Sequence, residues 1–284
     1  MIAPFLIYGI AIPVLVTGAL FGIARLSELR DGVRSVAAGG GGLAALIGAF
    51  GLPTIPAGEF AHWLILISFV ICVGALVMTI IDIGQQRHDR YLVSAALLLP
   101  FPTLAWQMTT NGIPWTTRFT ETGLWLTISA CFLVGTLSWT MSPTRETRRT
   151  AGWTLSVAFA ATGAALILTN SARLGQVLIG CAVCTLLTKL LAQDDEAEQR
   201  LLAMGLTLLV GLVSYAQAFV EFPSTAAAAV LVIPLLAIGA REDDERRHQV
   251  AAIILSLCLA GASVGITLEA HDTPPTPDEY SDYE

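Results

Sequence analysis

The sequence predicts an all-α, polytopic membrane protein: a transmembrane helix bundle of about ten spans, with both termini outside the cytoplasm. Three observations carry that prediction. Ten apolar stretches punctuate the 284 residues. Hydrophobic residues make up 55% and charged residues only 13%, against about a quarter charged in soluble proteins, and the mean hydropathy is +0.70. Thirteen of the fifteen Lys and Arg residues fall at or beside every second loop between the stretches. Short cation-rich loops resist translocation whereas neutral or acidic ones pass, so this alternation fixes the cytoplasmic side.

Taken in order, the spans run Ala3–Ala24, Val36–Leu52, Trp63–Ile83, Leu92–Met108, Leu124–Met141, Trp153–Thr169, Leu174–Leu191, Leu201–Val220, Ala226–Ala240 and Val250–Leu268. Most approach the ~20 apolar residues that an α-helix needs to cross a hydrocarbon layer of about 30 Å. The second, with its Gly39–Gly42 run, and the ninth are the weakest. Parity supports the second: without it, later Arg clusters would move outside, against the alternation. Arg25, Arg30 and Arg34 follow the first span, Arg87 and Arg90 the third, and Arg145, Arg148 and Arg149 the fifth. Lys189 ends the seventh span with Arg200 beyond it, and Arg241, Arg246 and Arg247 follow the ninth. Trp63, Trp106, Trp115 and Trp125 fall at outer ends and Trp139 and Trp153 at inner ends, the two levels that indole rings favour. Met1-Ile2-Ala3-Pro4 carries no cation, so a cleavable secretory signal lacks its n-region and the first helix is expected to stay.

Residues 1–269 are therefore read as one transmembrane helical domain and 270–284 as an acidic, disordered tail outside the cytoplasm. The net charge of −7 comes from loop and tail carboxylates such as Asp194, Asp195, Glu196 and Glu198. It marks water-facing segments, and a nucleic-acid partner finds no basic patch. A faint repeat aligns Ile67–Thr79 with Ile128–Thr140, which would make the unit a two-helix hairpin repeated in one orientation.

Gly18-Ala19-Leu20-Phe21-Gly22 and Gly261-Ala262-Ser263-Val264-Gly265 place small residues four apart, a spacing that lets backbones approach closely. The spacing does not choose between each other, other helices and a second protomer as partner. The run Gly39, Gly40, Gly41 and Gly42 reads as a close-packed crossing point, with an unwound segment as the alternative.

Prolines inside spans remove a backbone donor and free a carbonyl. Pro100 and Pro102 lie near the middle of the fourth span, where broken helices place the binding sites of transporters; a plain kink is the simpler reading. Pro13 and Pro234 also fall within spans. Asp82 and Lys189 are the ionisable candidates inside spans, each about one turn from the cytoplasmic end. They either reach the interface separately or pair across an inward-open cavity. Ser214, Tyr215 and Gln217 crowd the outer half of the eighth span and serve either as interhelical hydrogen bonds or as the lining of a solute path.

All five cysteines lie within spans and act as small apolar residues. Cys181-Ala182-Val183-Cys184 has metal or redox spacing, but four ligands are needed for a closed zinc site and no further ones stand nearby in sequence. The four histidines fall at membrane edges or in loops, which argues against a haem held at depth. No metal and no cofactor is expected, and the spans hold no paired carboxylates or Ser/His pair that would make an enzyme. Two functions stay open for this multi-pass protein of the cytoplasmic (inner) membrane. One is a small-solute or ion carrier with a midplane site near broken helices. The other is a structural or assembly subunit of a membrane complex. Its partners would be the lipid bilayer and a membrane-protein partner or a second copy of itself.

Overall fold

In the computed structural model the described residues are 6–26, 30–53, 145–169, 171–191, 208–217, 222–239 and 245–272, with isolated positions between 62 and 73 and at 205, 206 and 220. Among them the chain is almost wholly helical and forms no strand. A π-helical turn, Ile7–Ala11, leads into α1 (Ile12–Leu26), followed by α2 (Arg30–Phe50), α3 (Arg145–Leu168) and α4 (Ala172–Leu191). The helical segment α5 (Leu208–Gln217) comes next. Then α6 (Ser224–Val232) passes into a 3-10 helix, Ile233–Gly239, and α7 (Glu245–Asp272) closes the described chain. The third, fourth and fifth expected spans lie outside the described residues, as do Pro100, Pro102 and Asp82, apart from isolated helical positions between 62 and 73.

Among the described residues, three helical stretches are long and apolar enough to cross a membrane: Ile7–Ala24, Ala172–Leu191 and Gln249–Ala270. Shorter apolar helices are Gly39–Phe50, Gly152–Leu168, Leu208–Gln217 and Ser224–Leu236. Large apolar side chains cover the outer faces of α1 and α7; Leu15 is 69% exposed and Leu257 57%. An apolar surface of that extent calls for a non-aqueous neighbour, and together with the lengths it marks a membrane protein.

Local chemistry explains where these helices end and change. Gly51, at φ +84°, terminates α2, its N–H bonding Ile47 O at 2.8 Å. This is the single-bond glycine cap in the left-handed region, which costs glycine nothing, and Pro53 two residues on prevents resumption. Pro13 lacks an N–H and crowds the carbonyl four residues back, that of Gly9. The backbone widens ahead of it, so that Ile12 N–H bonds Ile7 O, five residues back. Pro234 crowds the carbonyl of Val230 in the same way, but there the chain tightens and Ile233 N–H bonds Val230 O, three residues back.

The 3-10 stretch also lengthens the segment expected as the ninth span. Nine α residues and seven 3-10 residues reach roughly 27 Å, whereas the same residues wholly α-helical reach about 24 Å. The stretched form comes closer to a hydrocarbon layer of about 30 Å.

The core lies among α3, α4, α5 and α6, with Leu155, Phe159, Leu166, Leu178, Leu209 and Val230 fully or almost fully buried. Segment α5 is enclosed nearly all round: Leu208, Leu209, Val210, Leu212, Val213, Ser214 and Ala216 are all buried. Glycines set how closely the surrounding helices meet. A Cβ on Gly163 would lie 3.0 Å from the Gly175 carbonyl oxygen, and one on Gly175 2.7 Å from that of Gly163, so α3 and α4 touch backbone to backbone. A Cβ on Gly180 would come 2.6 Å from Gly9 O, the carbonyl freed by Pro13. Tyr8 sits against Gly48, and Thr17 with Cys184 against Gly41. These registers make α1 and α4 parallel, with α2 antiparallel to both. The Gly39–Gly42 run stays helical, and Cβ atoms on Gly40, Gly41 and Gly42 would meet Leu20, Thr17 and Leu208 respectively. It is a packed crossing within a continuous helix.

Candidate functional site

Segment α5 brings together the polar residues expected on the eighth span. Ser214 is buried and Tyr215 and Gln217 half-buried, and Tyr215 is engaged in an interaction of its own. The Nε2 of Gln217 is sealed from solvent and has no hydrogen-bond partner. Ser214 and Gln217 stand three apart, on one side of the helix. Gln217 falls in the last turn of α5, where Val220 N–H and Phe222 N–H both bond Ala216 O, at 2.9 and 3.2 Å. Pro223 then stands at the N-cap of α6. A buried donor left without an acceptor costs about 1–3 kcal/mol, so a visitor that accepts from this amide, whether water or solute, would be stabilised there.

A second orphan stands at the opposite end of α4, where Thr188 is fully buried and its Oγ1 has no partner. Four other buried hydroxyls bond within their own helices. Ser156 bonds Gly152 O, Thr162 bonds Ala158 O, Ser256 bonds Ala252 O and Thr267 bonds Ser263 O, each four residues back. Ser263 instead reaches across, donating to Ala226 O at 3.2 Å and tying α7 to α6. Thr17 Oγ1 lies 3.4 Å from Ala37 O, between α1 and α2.

Lys189 is half-buried in the last turn of α4. A Cβ on Gly152 would lie 3.1 Å from its Cδ, so the missing side chain makes room for the lysine stem to run along α3. Asp82, a candidate partner for it, lies outside the described residues, as do Pro100 and Pro102. Of the glycines singled out by spacing, Gly40, Gly41 and Gly42 meet neighbours, while Cβ atoms on Gly18, Gly22, Gly261 and Gly265 would meet nothing within 4 Å.

Cys181 and Cys184 are buried free thiols. Cys184 Sγ faces Gly41 beside Thr17, and a Cβ on Gly42 would lie 3.4 Å from Cys181 Sγ. The glycines of α2 give the two sulfurs their space, which is a packing role. Among the described residues no three His, Cys, Asp or Glu side chains converge. Sequence reasoning passed over Thr17, Thr188 and Ser263. A Thr or Ser within an apolar run is a weak signal, and only the register of neighbouring helices separates a self-bonded hydroxyl from a bridging or orphaned one.

The arrangement defines a class, a helical membrane protein with a sealed polar group inside, and the comparisons add no narrower one. Set against known protein families, curated proteins and solved structures, the chain matches none.

Proposed function

We propose that the chain is a ten-crossing protein of the cytoplasmic (inner) membrane, with both termini outside, that carries a small solute or ion past polar groups in its interior. The observation that carries this reading is the Gln217 amide, a donor sealed in the bundle without an acceptor, three residues from buried Ser214. A solute or water that accepts from it recovers the energy of the missing bond. Two further features lend support. Irregular helix at Pro13 and Pro234 is tolerated at membrane depth where protein or water meets the freed groups. The parallel run of α1 and α4 against α2 fits an alternation of crossings.

The test uses the full chain in proteoliposomes, with Ser214→Cys and Gln217→Cys probed from each side by a membrane-impermeant thiol reagent. A water path predicts modification at both positions. If neither reacts from either side while exposed Cys258 takes up a lipid-soluble reagent, the carrier reading fails. A reporter joined after Glu284 that is active only outside the cytoplasm tests the orientation; activity of a cytoplasmic reporter there sinks it.

One observation favours a second reading, that of a structural or assembly subunit. Gly18 and Gly22 on α1 and Gly261 and Gly265 on α7 leave open, close-approach faces of the kind that dock another helix. Copurification of a stoichiometric partner from native membrane, lost in Gly18→Leu or Gly261→Leu, supports it; the chain purifying alone with or without these changes rules it out.

A further inference from the structure

We infer that Ile233–Gly239 is a length-switching segment, interconverting between the 3-10 form in the structure and a shorter α-helical form, so that this span answers to the thickness of the lipid bilayer around it. The inference stands apart from the choice between carrier and subunit and rests only on the reading that the segment crosses the membrane. Seven residues are unusually many for a 3-10 helix, which seldom exceeds three or four because its hydrogen bonds are poorer, and a longer run marks a hinge or a strained sequence. Pro234 supplies the cause. An α-helix here must lose the bond to Val230 O, whereas the tightened form gives that carbonyl to Ile233 N–H. The proline thus weakens the α form without forbidding it, and the two forms are brought close in energy.

Bilayer thickness can decide between such forms. Conversion of seven residues to α-helix shortens the span by about 3.5 Å and turns one end against the other by roughly 140°. A thick layer favours the stretched form and a thin one the compact form, because exposing or burying the wrong length of apolar surface is penalised. The surroundings permit it: Ile233 and Pro234 are buried and anchor the start of the segment, while Leu235 and Leu236 are only half-buried and Val232 is 40% exposed. The segment packs on α3 and α7, so the turn is passed to both.

The experiment places spin labels at Ser224 and Gly239 on non-canonical residues, leaving the five native cysteines in the full-length chain untouched. The protein is reconstituted in phosphatidylcholine bilayers of short and of long acyl chains. The expected result is a distance about 3–4 Å shorter in the thin bilayer, and in P234A a distance that stays short in both. An unchanged wild-type distance overturns the inference whatever P234A does, and a P234A distance that matches the stretched form in both bilayers overturns it as well. A label at Val232 relaxed by oxygen dissolved in the hydrocarbon separates the two possible failures. Fast relaxation with a fixed distance sinks the switch alone, whereas slow relaxation sinks the crossing on which it rests.

Discussion

The junction of α1, α2 and α4 and the outer rim of α1 and α7 are both built around small residues at helical spacing, and they use them in opposite ways. At the junction Gly9 meets Gln176, Gly41 meets Thr17 and Cys184, and Gly180 meets the Gly9 carbonyl. On the rim, Cβ atoms on Gly18, Gly22, Gly261 and Gly265 would meet none of the described residues within 4 Å. Burial divides the same way: 56% of the apolar stretch of α4 is buried inside the structure, against 22% of that of α7. Small-residue spacing therefore marks the capacity for close approach, and only the register of a neighbour shows whether it has been used.

The sharpest way to break this contrast is Gly180→Leu, which drives a side chain into Gly9 O, Ala45 and Pro13. Overpacking of that kind costs about 1–3 kcal/mol, read as an earlier unfolding midpoint in a detergent titration; an unshifted midpoint would show that the junction is loose. Next comes Gln217→Leu, which removes a donor without an acceptor. It should raise stability by about 1 kcal/mol in the same titration, and a loss instead would mean that the amide is satisfied in the native membrane. Gly18→Ala and Gly261→Ala probe the rim, where a methyl meets open space. These changes should be mildly stabilising, by up to about 1 kcal/mol, since glycine is the poorer helix former. A clear destabilisation would reveal a neighbour seated there. Smallest is Ser263→Ala, which deletes the bond to Ala226 O. An interhelical bond of this kind is worth about 0.6 kcal/mol, read as a small loss in the same titration; an unshifted midpoint would show that the bond contributes nothing.

Among the described helices hydropathy located the apolar part well and several of the starts poorly. Helices α2, α3 and α7 begin at Arg30, Arg145 and Glu245, well before the apolar runs at Val36, Trp153 and Val250. Arg and Glu are good helix formers, so the backbone keeps winding through charged sequence that a hydrophobicity window reads as loop. The C-terminal end of α2 was legible because Leu52 closed the run beside a glycine and a proline. What no periodicity could give was the response to proline. Pro13 and Pro234 look alike in sequence, yet one widens the helix to a π turn and the other tightens it to 3-10. The neighbours differ, since Gly180 of α4 lies against the Gly9 carbonyl while Val230 O is taken by Ile233 N–H. Of the candidate site, the Ser214–Gln217 cluster was legible as polarity in an apolar run. That Gln217 is orphaned and that Lys189 lies along Gly152 depended on contacts between distant parts of the chain.

The mutual contact of Gly163 with Gly175, and the lysine stem lying over Gly152 at the far end of the same pair, hold α3 against α4 at two points that lie about eleven residues, or roughly 16 Å, apart along α3. A rod pinned twice to its neighbour can neither slide nor scissor, so the two helices should travel as a single strut. Whatever rearrangement this protein undergoes must then be taken up at the seams around that strut rather than within it.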